Sequence, residues 1–174
     1  MKGIGQTLLA CHASVYRYAR ALSHDPFEAD DLVQETYKRA LAAKRKPTRA
    51  DEVNVRPWLF TIMRHIWQNE IRHRLHDTPE ANEHDIQAVW VAESPEAILT
   101  RKLLQSEIRH AIDSLPEVFR EVIVLREIET LSYAQIASVL HCPQGTVMSR
   151  LARGRALLRH LFVNAGLSSK EASR

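Results

Sequence analysis

The densest chemistry in the sequence lies near its C-terminal end, where Gln144, Thr146, Ser149, Arg150 and Arg153 follow one another at helical spacing. Amide, hydroxyl and guanidinium donors in such an array suit base edges in a major groove about 12 Å wide. Arg155 and Arg159 lie further along and suit phosphates. A second set is acidic: Glu28, Asp30, Asp31, Gln34 and Glu35 cluster near a helix start. Carboxylates there gain about 0.3–1 kcal/mol from the helix macrodipole, which alone would account for them as solvated surface. A third set is cationic, with Lys44, Arg45, Lys46 and Arg49 in a loop, then Arg64, His65, Asn69, Arg72 and Arg74 along a helix. The 9 histidines invite a metal or hydrolytic reading, and His73 with His76 could share a helix face. They lack carboxylates or cysteines at zinc spacing, and the neighbouring arginines disfavour a cation. No catalytic set, metal site or cofactor site is expected.

These groups need helices to position them. Leu8, Leu9, Val15, Tyr18, Ala19 and Leu22 trace a first helix that Asp25-Pro26 stops. A second runs from about Phe27 to Ala43, with Leu32, Val33, Thr36, Tyr37, Ala40 and Leu41 on one face. A third begins near Pro57, which a first turn tolerates, and carries Trp58, Leu59, Ile62, Met63, Ile66, Trp67 and Ile71. Periodicity lapses from Asp77 to Pro95 and returns at about Glu96, with Ile98, Leu103, Leu104, Ile108, Ala111, Ile112 and Leu115. Pro116 opens a helix with Val118, Phe119, Val122, Ile123 and Leu125 inside.

The segment Leu131–Leu151 has the layout of a helix-turn-helix. Ser132 and Gln135 can form a capping box, and Tyr133, Ile136, Ala137 and Leu140 face inward. His141-Cys142 makes the turn, and Pro143 starts a helix that packs Val147, Leu151, Leu158, Leu161 and Phe162. A plain helical hairpin with a solvated basic face is the rival account of this segment.

The chain has 174 residues, 45% of them hydrophobic, and only 5 glycines, which favours an all-α protein over hairpins or a phosphate-cradling loop. No apolar run is long enough to span a membrane, and Met1–Ala13 lacks the pattern of a secretory signal. Cys11 and Cys142 form no CxxC pair or disulfide framework, consistent with a reducing, cytoplasmic setting. The net charge of +3 is unevenly spread. Residues 38–76 carry 10 basic and 3 acidic side chains, residues 77–107 carry 2 and 7, and residues 141–174 carry 6 and 1. Two basic blocks around an acidic one suit two sites on a polyanion joined by a segment it repels.

Three blocks in order carry a family resemblance: Ala29–Leu41, Arg56–Ile62, and Leu115 through Arg155. Together they resemble the sigma-70 family of bacterial transcription initiation factors, in its extracytoplasmic-function branch. The resemblance implies two small all-helical domains joined by a flexible acidic linker. They would be region 2 over residues 1–76, a linker over 77–95, region 4 over 96–164 and a polar tail over 165–174. It implies that Asp30, Asp31, Gln34 and Glu35 dock on the coiled coil of the polymerase's largest catalytic subunit, and that the flap is a second contact. Lys44, Arg45, Lys46 and Arg49, with Arg64, His65, Asn69, Arg72 and Arg74, would hold the minus-ten element and help melt it. Gln144, Thr146, Ser149, Arg150, Arg153 and Arg155 would serve the minus-thirty-five element. His65 and Asn69 stand where the family more often has Asn and Asp, and Met148 where it frequently has Lys or Arg.

The function implied is promoter recognition and melting as a subunit of RNA polymerase, without enzymatic activity, in a stress or envelope response. An anti-sigma factor is the implied regulator, acting in the cytoplasm or holding the chain at the inner membrane. A sigma-like decoy would predict a degraded recognition helix, whereas Arg150 and Arg153 are present. An ordinary helix-turn-helix repressor would leave the acidic patch at Asp30–Glu35 unexplained.

Overall fold

The computed structural model describes residues 8–43, 55–77 and 106–164, which are helical with short turns and contain no strand. Three helices make the N-terminal half: α1 (His12–Ser23), α2 (Pro26–Ala42) and α3 (Val55–Asp77). Residues 106–113 form α4, followed by α5 (Glu117–Ile123), a wider π-helical turn (Val124–Ile128), α6 (Tyr133–Leu140) and α7 (Gln144–Asn164).

The α1–α2 junction is sharper than a simple stop. His24 takes a left-handed φ of 59° to close α1, and Asp25 then caps α2. The Asp25 carboxylate accepts from the amides of Phe27 at 2.8 Å and Glu28 at 3.0 Å, while Pro26 occupies the first turn. Two orphan amides of α2 are thereby satisfied within five residues of the first helix's end. Val15, Tyr18, Ala19, Leu22, Ala29, Leu32, Val33, Leu59, Phe60, Met63 and Ile66 form the core of this half. The Tyr18 and Phe60 rings meet at 4.8 Å and 51°, a tilted arrangement that suits the aromatic quadrupoles.

In the C-terminal half, Ile123, Leu125, Leu131, Ile136, Val139, Leu140, Val147 and Leu151 are buried together. The expected capping box is present: Ser132 Oγ accepts from the Gln135 amide at 3.2 Å, and Gln135 Oε1 from the Ser132 amide at 2.9 Å. His141, at φ 50°, supplies the left-handed turn between α6 and α7. Where α7 crosses α5, Gly154 lies so close that a Cβ there would sit 3.0 Å from Ile123 Cγ1.

Some apolar residues fall outside the core. Leu9 and Leu41 are 74% and 50% exposed, because neighbouring positions diverge by about 100° around a helix and Leu8 and Ala40 take the inward places. Val118 is also exposed, at 45%. The π-helical turn is a feature that periodicity did not indicate.

Candidate nucleic-acid interface

On α7 the buried positions Val147 and Leu151 fix the opposite side of the helix toward solvent. Gln144, Ser149 and Arg153 are exposed there, and Thr146 and Arg150 are half-buried. Positions 146, 149, 150 and 153 fall on one helical face, so hydroxyl and guanidinium donors converge in the N-terminal half of α7. Arg155 is exposed but engaged, its Nη2 and Nε lying 2.6 and 2.9 Å from Glu127 Oε1. That carboxylate raises the Arg155 pKa above its ordinary value through hydrogen bonding and charge.

The acidic residues of α2 form an open ledge. Asp30, Asp31 and Gln34 are exposed, opposite the buried Ala29, Leu32, Val33 and Thr36. Glu35 is half-buried and pairs with Arg39 at 2.8 Å. Carboxylates in high dielectric with short-lived partners are available to arginines on another protein.

The cationic set on α3 divides. Asn69, Arg72 and Arg74 are exposed; Arg72 Nε donates to the Gln68 carbonyl at 3.2 Å. Arg74 lies over the Trp67 ring and donates to Glu28 at 2.7 Å. Arg64 turns the other way, into the boundary with the C-terminal half, where its side chain is 14% exposed. His65 lies at the edge of the same boundary, stacked on His141 with ring centroids 5.0 Å apart. Lys44, Arg45, Lys46 and Arg49 lie outside the described residues, as do residues 78–105, which hold the acidic linker after Asp77 and Ile98, Leu103 and Leu104 of the expected helix. His73 is exposed, and the side chain of His76 also lies outside what is described.

The boundary itself holds charged residues that sequence reasoning missed. Glu121, 4% exposed, accepts from Tyr18 Oη at 2.9 Å and from Arg64 Nε at 3.0 Å on the same oxygen. Burial pushes the Glu121 carboxyl up despite both partners, and burial with the nearby carboxylate pushes Tyr18 well above the usual phenol range. Glu129, fully buried, meets Arg17 Nε at 2.8 Å, and Arg56 approaches its other oxygen at 3.6 Å. Arg120 donates to the carbonyls of Leu115 at 2.9 Å and Ala21 at 3.0 Å, and also touches His24. One signal was present for Glu129: Val122, Leu125 and Glu129 follow the i, i+3, i+7 pattern of one helical face. A carboxylate in register with an apolar stripe is a candidate for burial against a cation.

Comparison with known proteins gives two family-model matches: sigma-70 region 2 over residues 8–75, and sigma-70 region 4 over residues 105–158. The chain is 36% identical over 154 residues to the ECF RNA polymerase sigma factor SigE of Mycolicibacterium smegmatis, covering 87% of this chain and 59% of that protein. It is 34% identical over 155 residues to the ECF RNA polymerase sigma factor EcfG of Rhodopseudomonas palustris, covering 89% and 82%. Among solved structures, it matches the sigma factor RpoE from Bartonella quintana, crystallised with the anti-sigma factor NepR. That match has a TM-score of 0.75 at 26% identity and covers 94% of this chain and 98% of that one.

Proposed function

The chain belongs to the sigma-70 family, in its extracytoplasmic-function branch, and we propose that it gives RNA polymerase its choice of a set of promoters. The observation that carries this reading is the pairing, in one chain, of an open carboxylate ledge on α2 with an intact helix-turn-helix whose α7 donors face solvent. Residues 1–76 act as the polymerase-docking and minus-ten domain, residues 96–164 as the minus-thirty-five domain, and residues 77–95 as an acidic connector.

Asp30, Asp31, Gln34 and Glu35 bind arginines on the core enzyme. Gln144, Thr146, Ser149, Arg150 and Arg153 meet base edges, with Arg155 toward phosphate once Glu127 releases it. Arg64, His65, Asn69, Arg72 and Arg74, together with Lys44, Arg45, Lys46 and Arg49, follow the melted strand, where cationic and stacking groups offset the few kcal/mol of unstacking. The role is one of binding and positioning, with no catalysis by this chain.

An anti-sigma factor acts as the regulator, a reading supported by the likeness of this chain to RpoE, which was crystallised in complex with the anti-sigma factor NepR. A cleft of about 470 Å³ between the halves, lined by Tyr16, Ile108, Ile112, Val124 and Ile128 among others, offers such a partner apolar surface. We place the chain in the cytoplasm, with any hold at the inner membrane made by that regulator; among the described residues no helix is long and apolar enough to cross a membrane.

In vitro transcription with core polymerase on a randomised promoter pool tests the reading. Added chain should enrich one pair of upstream and downstream elements. An unselected pool, with core occupied by the chain, would overturn it.

A further inference from the structure

Two opposite faces of α7 repeat one spacing. Val147, Leu151, Gly154 and Leu158 face the core at i, i+4, i+7 and i+11, and Gly145, Ser149, Ala152 and Ala156 repeat that spacing in solvent. None of the outer four carries more than a hydroxymethyl group, so that face is smooth. The fold gives no steric reason for the glycine, since a Cβ at residue 145 would meet nothing within 4 Å. A face of this kind lets the helix backbone come close to a surface laid against it. Thr146, Arg150 and Arg153 stand along one margin of it, and Met148, 49% exposed, stands along the other.

We infer that Met148 reads the C5-methyl of a thymine in the upstream promoter element. The inference rests on the proposed role of α7 as the helix that meets base edges. Thymine alone among the four bases presents a methyl group to the major groove. A thioether chain has no hydrogen-bond donor and no charge, so it gains nothing from a phosphate. Laid against a methyl, both apolar groups leave water, and the flexible, polarizable chain adapts to the groove floor without strain.

The neighbours fit the same assignment. Gln144 lies one turn before Met148 on the same margin and is exposed. Its amide suits N6 and N7 of adenine, so this margin as a whole matches A·T pairs, while the guanidinium groups of the opposite margin match guanine. The smooth face sets the depth of contact. A long side chain on it would hold the helix off the groove floor and leave Met148 short of the methyl.

The test uses holoenzyme and the upstream element enriched from the randomised promoter pool. Each thymine is replaced singly by uracil, which removes the methyl and keeps every base-pairing group. One such replacement should weaken competition binding by about fourfold, the value of one buried methyl. In Met148→Ala holoenzyme that thymine and its uracil counterpart should bind equally, and Met148→Leu should keep most of the difference. If the methyl effect at every thymine is the same in wild type and Met148→Ala, the inference is overturned. An enriched element with no thymine on either strand would overturn it too.

Ala152→Leu tests the seating of the helix. Binding to the upstream element should fall by about tenfold or more, while the urea midpoint stays unchanged because residue 152 is exposed. Undiminished binding would put the smooth face away from the groove and overturn the inference. Arg150→Ala separates this inference from the reading beneath it. If Arg150→Ala leaves upstream preference unchanged, the assignment of α7 fails. If it relaxes that preference while Met148→Ala alters no thymine-to-uracil ratio, the Met148 inference alone fails.

Discussion

Arg150 shares a helical face with Thr146, Ser149 and Arg153, and it is the half-buried arginine of that group. Partial burial restricts its rotamers, so fewer are lost on contact with a base. Arg150→Ala should cost about 1–3 kcal/mol in discrimination of the upstream element and little in overall stability. Competition binding of holoenzyme to single-base operator variants measures this, with relaxed preference expected at one position.

His65 adds a pH response to the docking of the halves. Burial, His141, Arg64 and Arg72 all push its pKa below the ordinary value, so the docked form favours the neutral ring. Separated, the ring returns toward about 6.5 and takes up a proton more readily. Docking contributed by His65 is therefore present at neutral pH and lost as pH falls below about 6.5. Glu121 acts oppositely: its raised pKa means the docked form binds the proton more tightly, so acidification favours docking at that site. Scattering between pH 7.5 and pH 5.5 should show acid expansion that steepens in Glu121→Gln and weakens in His65→Gln, since His24 beside Arg120 is also held below its ordinary pKa by burial and by that charge. The outward placement of the α7 donors and of the α2 acids was legible from residue type and spacing. The inward turn of Arg64 was not, because a helical period assigns a face without saying what covers it.

Among the elements, α6 was legible in detail: Ser132, Gln135 and the turn at His141 stand as local chemistry requires. Local signals survive because their partners lie within a few residues. The π-helical turn after α5 depends on packing by distant residues, and Val124–Ile128 reads as an ordinary continuation of the apolar stripe. The turn closes with the Glu129 amide donating to the Val124 carbonyl at 3.0 Å, and the Glu129 side chain lies buried beside Arg17 and Arg56. The α5–α7 crossing is equally specific. Gly154→Leu would drive a side chain into Ile123 and the Phe119 Cβ, which a Cβ at residue 154 already approaches at 3.0 and 3.5 Å. Overpacking there should cost about 1–3 kcal/mol, read as a lower urea midpoint with an unchanged slope.

At the scale of the molecule, the charge blocks suggest two sites on a polyanion joined by a segment it repels, and the acidic residues of α2 that we propose as the polymerase ledge are exposed. Asp31→Lys with Gln34→Ala should abolish pull-down of core polymerase while circular dichroism stays unchanged. Retained pull-down would place the docking surface elsewhere. The mutual packing of the halves was the least legible property. Its pairs span 57 to 112 positions, and each member alone resembles routine surface charge.

Glu121 serves Tyr18 and Arg64 through a single oxygen, which has a bearing on modular engineering. Chimeras that graft a foreign region 4 onto this region 2 would inherit two donors without their shared acceptor. Such hybrids should gain a looser, more promiscuous polypeptide unless the trio is transplanted together, so the seam for recombination is chemical as well as topological.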